Sequence, residues 1–347
     1  LEVAPLILCL NPGSSSIKAK LFNSDLTELR VWKQPVSGEA GFTSALKQVM
    51  AEATKLGTIQ TVGCRVVDGG AQLTQTCFAT GEVVATLEQA AQLAPLHAQE
   101  SLDVIRAVQA ENPHLPVVLA FDTSFHRTLP KVASTYPLPQ KMSGSLNLRR
   151  LGFHGLAYQS VVAHLTQTHS LPKRLIAIHL GSGCSACAIL DGKSVDTTMG
   201  FTPLEGLMMG TRSGSIDPGI LLYLLDHGYD SASLSRVLNH ESGLLGVSGI
   251  SADVRELEQA ARDGNPAARE ALDLFCYLAA KQAASLAVAM DGVDGICFSG
   301  GIGENSAFVR GEICRRLAFL GAPPPLVVAV DEELEIGREV LRLTSRS

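Results

Sequence analysis

Several patterns that commonly announce a function are missing from this chain. Its 28 Lys and Arg are outnumbered by 34 Asp and Glu, a formal net charge of −6. No basic cluster offsets that balance, which argues against nucleic acid or an anionic membrane as partner. No long block of like charge marks a disordered tail. The GxxxxGK[ST] pattern of P-loop enzymes is absent. So is an N-terminal segment with a basic start, an apolar core and a small-residue cleavage site. The eight cysteines stand singly apart from Cys184 and Cys187. That lone C-x-x-C has no second pair and no nearby histidine pair, which disfavours a zinc clip. Reduced thiols and a cytoplasmic location are therefore expected. The longest apolar stretch, near Ala279–Met290, is interrupted by Lys281 and Gln282 and preceded by Arg269, Glu270 and Asp273. It reads as a buried helix rich in small residues, not a membrane span.

What is present is a soluble-protein composition, 46% hydrophobic and 18% charged over 347 residues, long enough for two domains. Two segments echo each other. Residues 6–22 and 175–190 each read as an apolar strand, a Gly/Ser turn and a second strand, with Gly13-Ser14 and Gly181-Ser182 in register. The second contains G-x-G-x-x-A over Gly181–Ala186, but the run leads into Asp191-Gly192, a hairpin signal, where a dinucleotide fingerprint needs a helix. A hairpin whose turn amides meet phosphate fits better. Paired units of this kind are similar to the actin, sugar kinase and heat-shock ATPase superfamily. The boundary is expected near Asp122–Ser124, with the helix that begins at Asp331 returning to the first domain.

The residues 194–219 show neither strand nor helix periodicity and are punctuated by glycine and proline, which predicts an ordered loop. Its one cation, Arg212, stands among small residues and suits an anion. Ser299–Ser306 predicts a strand, glycine turn and helix start, able to aim amides at an anion or adenosine group. A helix over 306–319 follows, with Val309, Ile313 and Leu317 on one face. Asn11, Ser14, Ser16 and Lys18, with Glu332, suit a phosphate and its magnesium, which takes few carboxylates plus water and phosphate oxygens. On the residues alone, a solvated strand position is the better account of Lys18, and simple helix-start chemistry of Glu332. Arg65, Asp122 and His154 stand in polar or glycine-flanked settings, Asp122 at the end of a predicted strand over 116–121. A structural salt bridge competes with a catalytic role for Asp122.

Taken together and in order, Asn11–Lys18, Phe121–His126, Gly152–Gly155, Ser194–Gly219, Gly300–Ser306 and Asp331–Leu334 resemble the acetate kinase family across nearly the whole chain. The resemblance implies an α/β protein of two duplicated ribonuclease H-like domains, the actin-like ATPase fold, with nucleotide in the interdomain cleft. The N-terminal domain would be 1–122, with 331–347 packing back on it, and the nucleotide-binding domain 123–330. The implied reaction is reversible in-line transfer of the ATP γ-phosphoryl to acetate, giving acetyl phosphate and ADP, with Mg²⁺ or Mn²⁺. A cytoplasmic homodimer is implied, for which the helix near 267–290 offers a surface. Carried over by position, Arg65, Asp122, His154 and Arg212 would be catalytic, with Asp122 orienting Arg65 or the acceptor. Asn11 and Glu332 would hold the metal. Arg65, Val67, Leu96, Phe153 and Pro203 would bind the acceptor. Lys18, His179, Leu180, Gly181, Ser182, Gly183, Asp253, Val254, Arg255, Gly301, Ile302, Gly303, Glu304 and Asn305 would contact nucleotide. Cys64, Asp68, Ser182 and Tyr158 depart from the family text, and Asp68 is close enough in sequence to compete for Arg65. Cys64, Asp68 and Ser182 motivate one alternative, a nucleotide-binding member with little catalysis; the other is a propionate or short-chain carboxylate kinase.

Overall fold

The structure, a computed structural model, describes residues 5–345 except 14, 15, 37, 71 and 94, and the side chains at 38–40, 90, 92, 93 and 95–98 lie outside that description. The chain divides into two compact units. The first comprises Leu1–Phe125, His154–Ser160 and Asp331–Ser347, the second His126–Phe153 and Val161–Val330.

The first unit is built on β1 (Leu6–Gly13), β2 (Ser16–Phe22), β3 (Glu28–Pro35), β4 (Ile59–Val66), β5 (Cys77–Phe78) and β6 (Val117–Phe121), in the spatial order β3-β2-β1-β4-β6-β5. β1 pairs antiparallel with β2, placing Asn11 opposite Lys18, and parallel with β4, which pairs parallel with β6. Side chains alternate across a strand. Leu6, Leu8 and Leu10 therefore enter one core with Leu46, Val49, Ile105 and Val108 from the helices Gly38–Ala53 and Pro95–Glu111. Ile7 and Cys9 enter the opposite core with Phe22, Ile336 and Val340. The last two belong to the helix Glu332–Thr344, so the C-terminus covers this second face. That helix lies so close that a Cβ on Gly63 of β4 would sit 2.4 Å from Ile336.

One boundary differs from the sequence reading. Residues 154–160, expected in the nucleotide-binding domain, belong to the first unit. Leu156 is buried in its second core, and the Asp331 backbone N–H donates to Ser160 Oγ at 2.9 Å.

The second unit repeats the plan with β7 (Arg174–Leu180), β8 (Cys184–Leu190), β9 (Lys193–Thr197), β10 (Gly295–Ser299) and β11 (Leu326–Val327), ordered β11-β10-β7-β8-β9. A central hairpin, a third antiparallel strand outside it and two parallel strands on the other side match β3-β2-β1-β4-β6. The helix Pro266–Leu286 is capped by Asn265, with proline at its first position, and buries Ala268, Ala271, Leu272, Phe275, Ala279, Ala283 and others. By length and composition Pro266–Met290 could cross a membrane, but this apolar face is spent inside the unit. The same burial removes most of it as the expected dimer surface.

Candidate active site

In open α/β sheets, ligands gather beyond the carboxyl ends of parallel strands. At that end of the first unit stand Asn11 on β1, Arg65 on β4 and Asp122 just past β6. Arg65 donates from Nε (3.1 Å) and Nη2 (2.6 Å) to the two oxygens of Asp122, and from Nη1 to Asn11 Oδ1 at 3.1 Å. Glu332 lies 4.0 Å from Nη1. Burial works against the Arg65 charge, but Asp122, Glu332 and Glu333 outweigh it and hold the guanidinium protonated above its ordinary range. Burial raises the Asp122 carboxyl, while Arg65 and the His154 backbone N–H pull it back. A forked arginine carboxylate pair fixes direction as well as distance, and two of the five guanidinium N–H groups remain beyond the three bonds to Asp122 and Asn11.

Asp68 does not take this arginine's fork. Its Oδ1 accepts from Gly70 N at 2.8 Å, a local turn. Tyr158 is fully buried and stacks on Phe125 at 6.2 Å, so that departure is absorbed by packing. His154 has a left-handed backbone, φ +59°. The next residue must be small, because a Cβ on Gly155 would lie 1.9 Å from the Asp122 carbonyl oxygen.

Asn11 Nδ2 donates to Glu332 Oε2 (2.8 Å) and Glu333 Oε1 (2.7 Å), bringing two carboxylates and an amide to one point. Burial, with the Glu332 charge, pushes the Glu333 carboxyl up, while the Asn11 amide and the Lys18 charge pull it back. Among the described residues no group of three or more His, Cys, Asp and Glu is arranged to hold a metal. Few protein oxygens, with water and phosphate for the rest, is the donor set Mg²⁺ prefers, and these residues fit it. Glu333 escaped the sequence reading; its only signal was its place beside Glu332 at a helix start. Lys18 is exposed on β2.

In the second unit a cavity of about 770 Å³ is lined by Gly181, Ser182, Ala252, Asp253, Val254, Arg255, Glu258, Gly301, Ile302, Asn305 and Ser306. Its size falls in the range of small-molecule sites. Gly181 and Ser182 form the β7–β8 turn, where Gly181 N–H donates to Gly183 O. Asp253 caps the helix Val254–Arg262 and binds Arg255, whose side chain is 88% exposed. The expected turn over 300–305 is itself a short helix, with Gly300 N–H donating to Glu304 Oε1. His179, Leu180, Gly183, Gly303 and Glu304 are not among the lining residues; His179 Nδ1 lies 3.1 Å from Ser299 Oγ. Glu258 is a lining residue that sequence reasoning missed, and it accepts from Ser306 Oγ at 2.5 Å.

The 198–217 loop is pinned at many points. Arg150 Nη1 reaches three successive carbonyls, Thr197, Thr198 and Met199, and Nη2 binds Glu205 at 2.7 Å. Gln282 donates to Gly206 O, and Leu244 N–H to Met209 O. Arg212, held in this frame, donates to Pro203 O at 3.2 Å and lies 3.7 Å from Met209 Sδ. Burial lowers its proton affinity, and among the described residues no carboxylate pairs with it. A half-buried guanidinium without a counterion is built for an anion. Of the expected acceptor residues, Val67 lies half-buried in the first unit, and Phe153 and Pro203 are buried in the second. The Leu96 side chain lies outside the described residues.

Two sheets of one plan, each opening with an antiparallel hairpin, have the architecture of the actin-like ATPase fold, and the second unit holds a cavity of small-molecule size. A ROK hexokinase from Thermus thermophilus shares that fold alone, at 13% identity and a TM-score of 0.51. Residues 31–335 match the Acetokinase family, and the chain belongs to it. It is 40% identical to an acetate kinase of Deinococcus radiodurans over 383 aligned positions, covering 96% of each protein. It is 38% identical to a propionate kinase of Citrobacter rodentium, covering 97% of this chain and 96% of that one. The crystal structure of Porphyromonas gingivalis acetate kinase superposes with a TM-score of 0.86 at 33% identity, covering 98% of this chain and 100% of that chain.

Proposed function

We propose that this chain transfers the γ-phosphoryl group of ATP to acetate, reversibly, giving acetyl phosphate and ADP. The observation that carries the reading is Arg212, a half-buried cation with no carboxylate partner among the described residues, in the unit that holds the nucleotide-sized cavity. An acetate oxygen forms the new bond to the γ-phosphorus as the bond to the β–γ bridging oxygen breaks. Acetate is already an anion at neutral pH, so no base is needed, and the difficulty is repulsion between two anions.

The residues answer that difficulty. Arg65, kept charged by its carboxylates and aimed by Asp122, receives the acceptor carboxylate or the migrating phosphoryl with its remaining N–H groups. Arg212 and His154 stabilise charge on the equatorial oxygens. The cavity lining around Gly181, Asp253 and Gly301 holds the nucleotide. Asn11, Glu332 and Glu333 would hold Mg²⁺, which when bound neutralises phosphate oxygens. Val67 would face the acceptor's methyl group. One methylene is worth only about 1–3 kcal/mol of discrimination, so propionate is the second acceptor. The propionate kinase relative favours keeping that reading. Eight unpaired thiols suit a reducing, cytoplasmic setting.

A homodimer completes the reading, on a surface other than the long helix. The helix Pro218–Asp226 has no buried residue and exposes Ile220, Leu222, Tyr223 and Leu225, with Ile216 and Tyr229 beside it. An apolar face of this kind suits a second copy.

The deciding assay traps acyl phosphate formed from MgATP with acetate, propionate or butyrate, beside Arg212→Ala. Turnover greatest with acetate and reduced at least about 10³-fold in the variant supports the assignment. A folded variant with near-normal turnover would sink the role of Arg212. ATP binding without turnover on any acid would favour a member with little catalysis.

A further inference from the structure

The proposed reaction leaves one buried polar chain unused. His126 is 1% exposed. Its Nε2 lies 2.9 Å from the Phe153 carbonyl oxygen and its Nδ1 2.8 Å from Ser194 Oγ, which is itself 3.3 Å from Cys187 Sγ. A carbonyl can only accept, so this network assigns the proton to Nε2 and makes Nδ1 the acceptor of the Ser194 hydroxyl.

The bonded carbonyl is not an arbitrary one. It belongs to the peptide whose N–H is that of His154, and this N–H bonds the Asp122 carboxylate. Both polar atoms of the Phe153–His154 peptide are therefore held, and both holders come from the single 3₁₀ segment Asp122–Thr128. In a planar trans peptide the C=O and N–H point in opposite directions and turn together. Releasing the carbonyl lets the plane rotate and withdraws the N–H from Asp122. Strain supplies the tendency to rotate, since His154, which carries a side chain, is held at φ +59°. The ring also fills the space beside Gly152, where a Cβ would lie 2.5 Å from His126 Cγ.

We infer that His126 is a positioning residue for phosphoryl transfer: its bond to the Phe153 carbonyl fixes the peptide that aims His154 and completes the hydrogen bonding of Asp122. This rests on the kinase reading above, and one readout is independent of it. Asn at 126 can reach the Ser194 side but not the Phe153 carbonyl, whereas Gln places an amide N–H where Nε2 stood. His126→Asn should lower kcat about 10- to 100-fold, the scale of a misplaced catalytic group, with the KM for ATP within about 2-fold. His126→Gln should recover to within about 5-fold of wild type. Hydrogen exchange of the His154 amide, measured without substrate, should accelerate at least about 10-fold in His126→Asn and not in His126→Gln. Equal impairment of the two variants, or a folded His126→Asn with wild-type kcat and unchanged His154 exchange, would overturn the inference. A wild type inactive on every acid fails the kinase reading, while His154 exchange still decides the positioning. If His126→Asn does not fold, nitrogen-15 shifts of the wild-type ring decide: the Nε2–H tautomer supports the assignment and the Nδ1–H tautomer refutes it.

Discussion

Acid should weaken this protein in a way that one buried histidine accounts for. Burial pushes the His126 imidazole from 6.5 down to about 4; the Phe153 carbonyl opposes that shift and the Arg150 charge adds to it. The sign follows from which state binds the proton first. The unfolded chain takes it up below about 6.5 and the native protein only near 4, so between those values the unfolded state binds more protons. Stability from this residue is complete above 6.5 and falls as pH drops towards 4. Each tenfold difference in proton affinity is worth about 1.4 kcal/mol, so the full loss is about 3 kcal/mol, with about 2 kcal/mol already gone at pH 5. Urea unfolding followed by circular dichroism from pH 8 to pH 5 would measure it, comparing wild type with His126→Gln. Glutamine does not titrate, and the other ionisable groups cancel in the difference. The wild type should therefore lose about 2 kcal/mol more than the variant over this range. Curves that stay parallel within about 0.5 kcal/mol would show that His126 is not held neutral, and would refute the reasoning.

Three further outcomes are expected. Asp122→Ala leaves Arg65 in its buried setting without its forked partner and should cost about 3 kcal/mol in urea unfolding; a loss under about 1 kcal/mol would show that the pair is not the restraint the geometry implies. Gly155→Ala places a methyl 1.9 Å from the Asp122 carbonyl oxygen and should destabilise by at least about 2 kcal/mol or abolish soluble protein. A melting temperature equal to wild type would contradict that close approach. Leu222→Asp on the exposed helix should turn a dimer into a monomer by light scattering, and an unchanged mass would remove this face from the interface.

How much of this was legible in the sequence differs by range. Both hairpins could be read because an apolar strand, a Gly/Ser turn and a second strand are local, and Asp191-Gly192 marked the end of the second. The face of Val309, Ile313 and Leu317 was likewise local, and all three are buried. Long-range partners left no such trace. Glu333 meets Asn11 across 322 positions, and nothing in a run of helix-start acids says which one points inward. The return of His154–Ser160 to the first unit had no composition signal either, because Leu156 and Ser160 declare themselves only through what they touch. Asp68 is a different case. An aspartate two residues before a glycine commonly closes on its own backbone, and that local reading was available in place of competition for Arg65.

The C-terminal helix has a consequence for how the protein is made. Ile7, Cys9 and Phe22 leave the ribosome early, while Ile336 and Val340, which cover them, emerge more than 300 residues later. Domains usually fold in order of synthesis, yet here the first sheet must wait, with one apolar face uncovered, for nearly the entire chain to be translated. Asn11 waits equally long for both of its carboxylates. A nascent chain stalled or cleaved before Glu332 would thus lose that core and the carboxylate partners of Asn11 in one stroke, and quality control that recognises exposed apolar surface would find the product by its uncovered sheet.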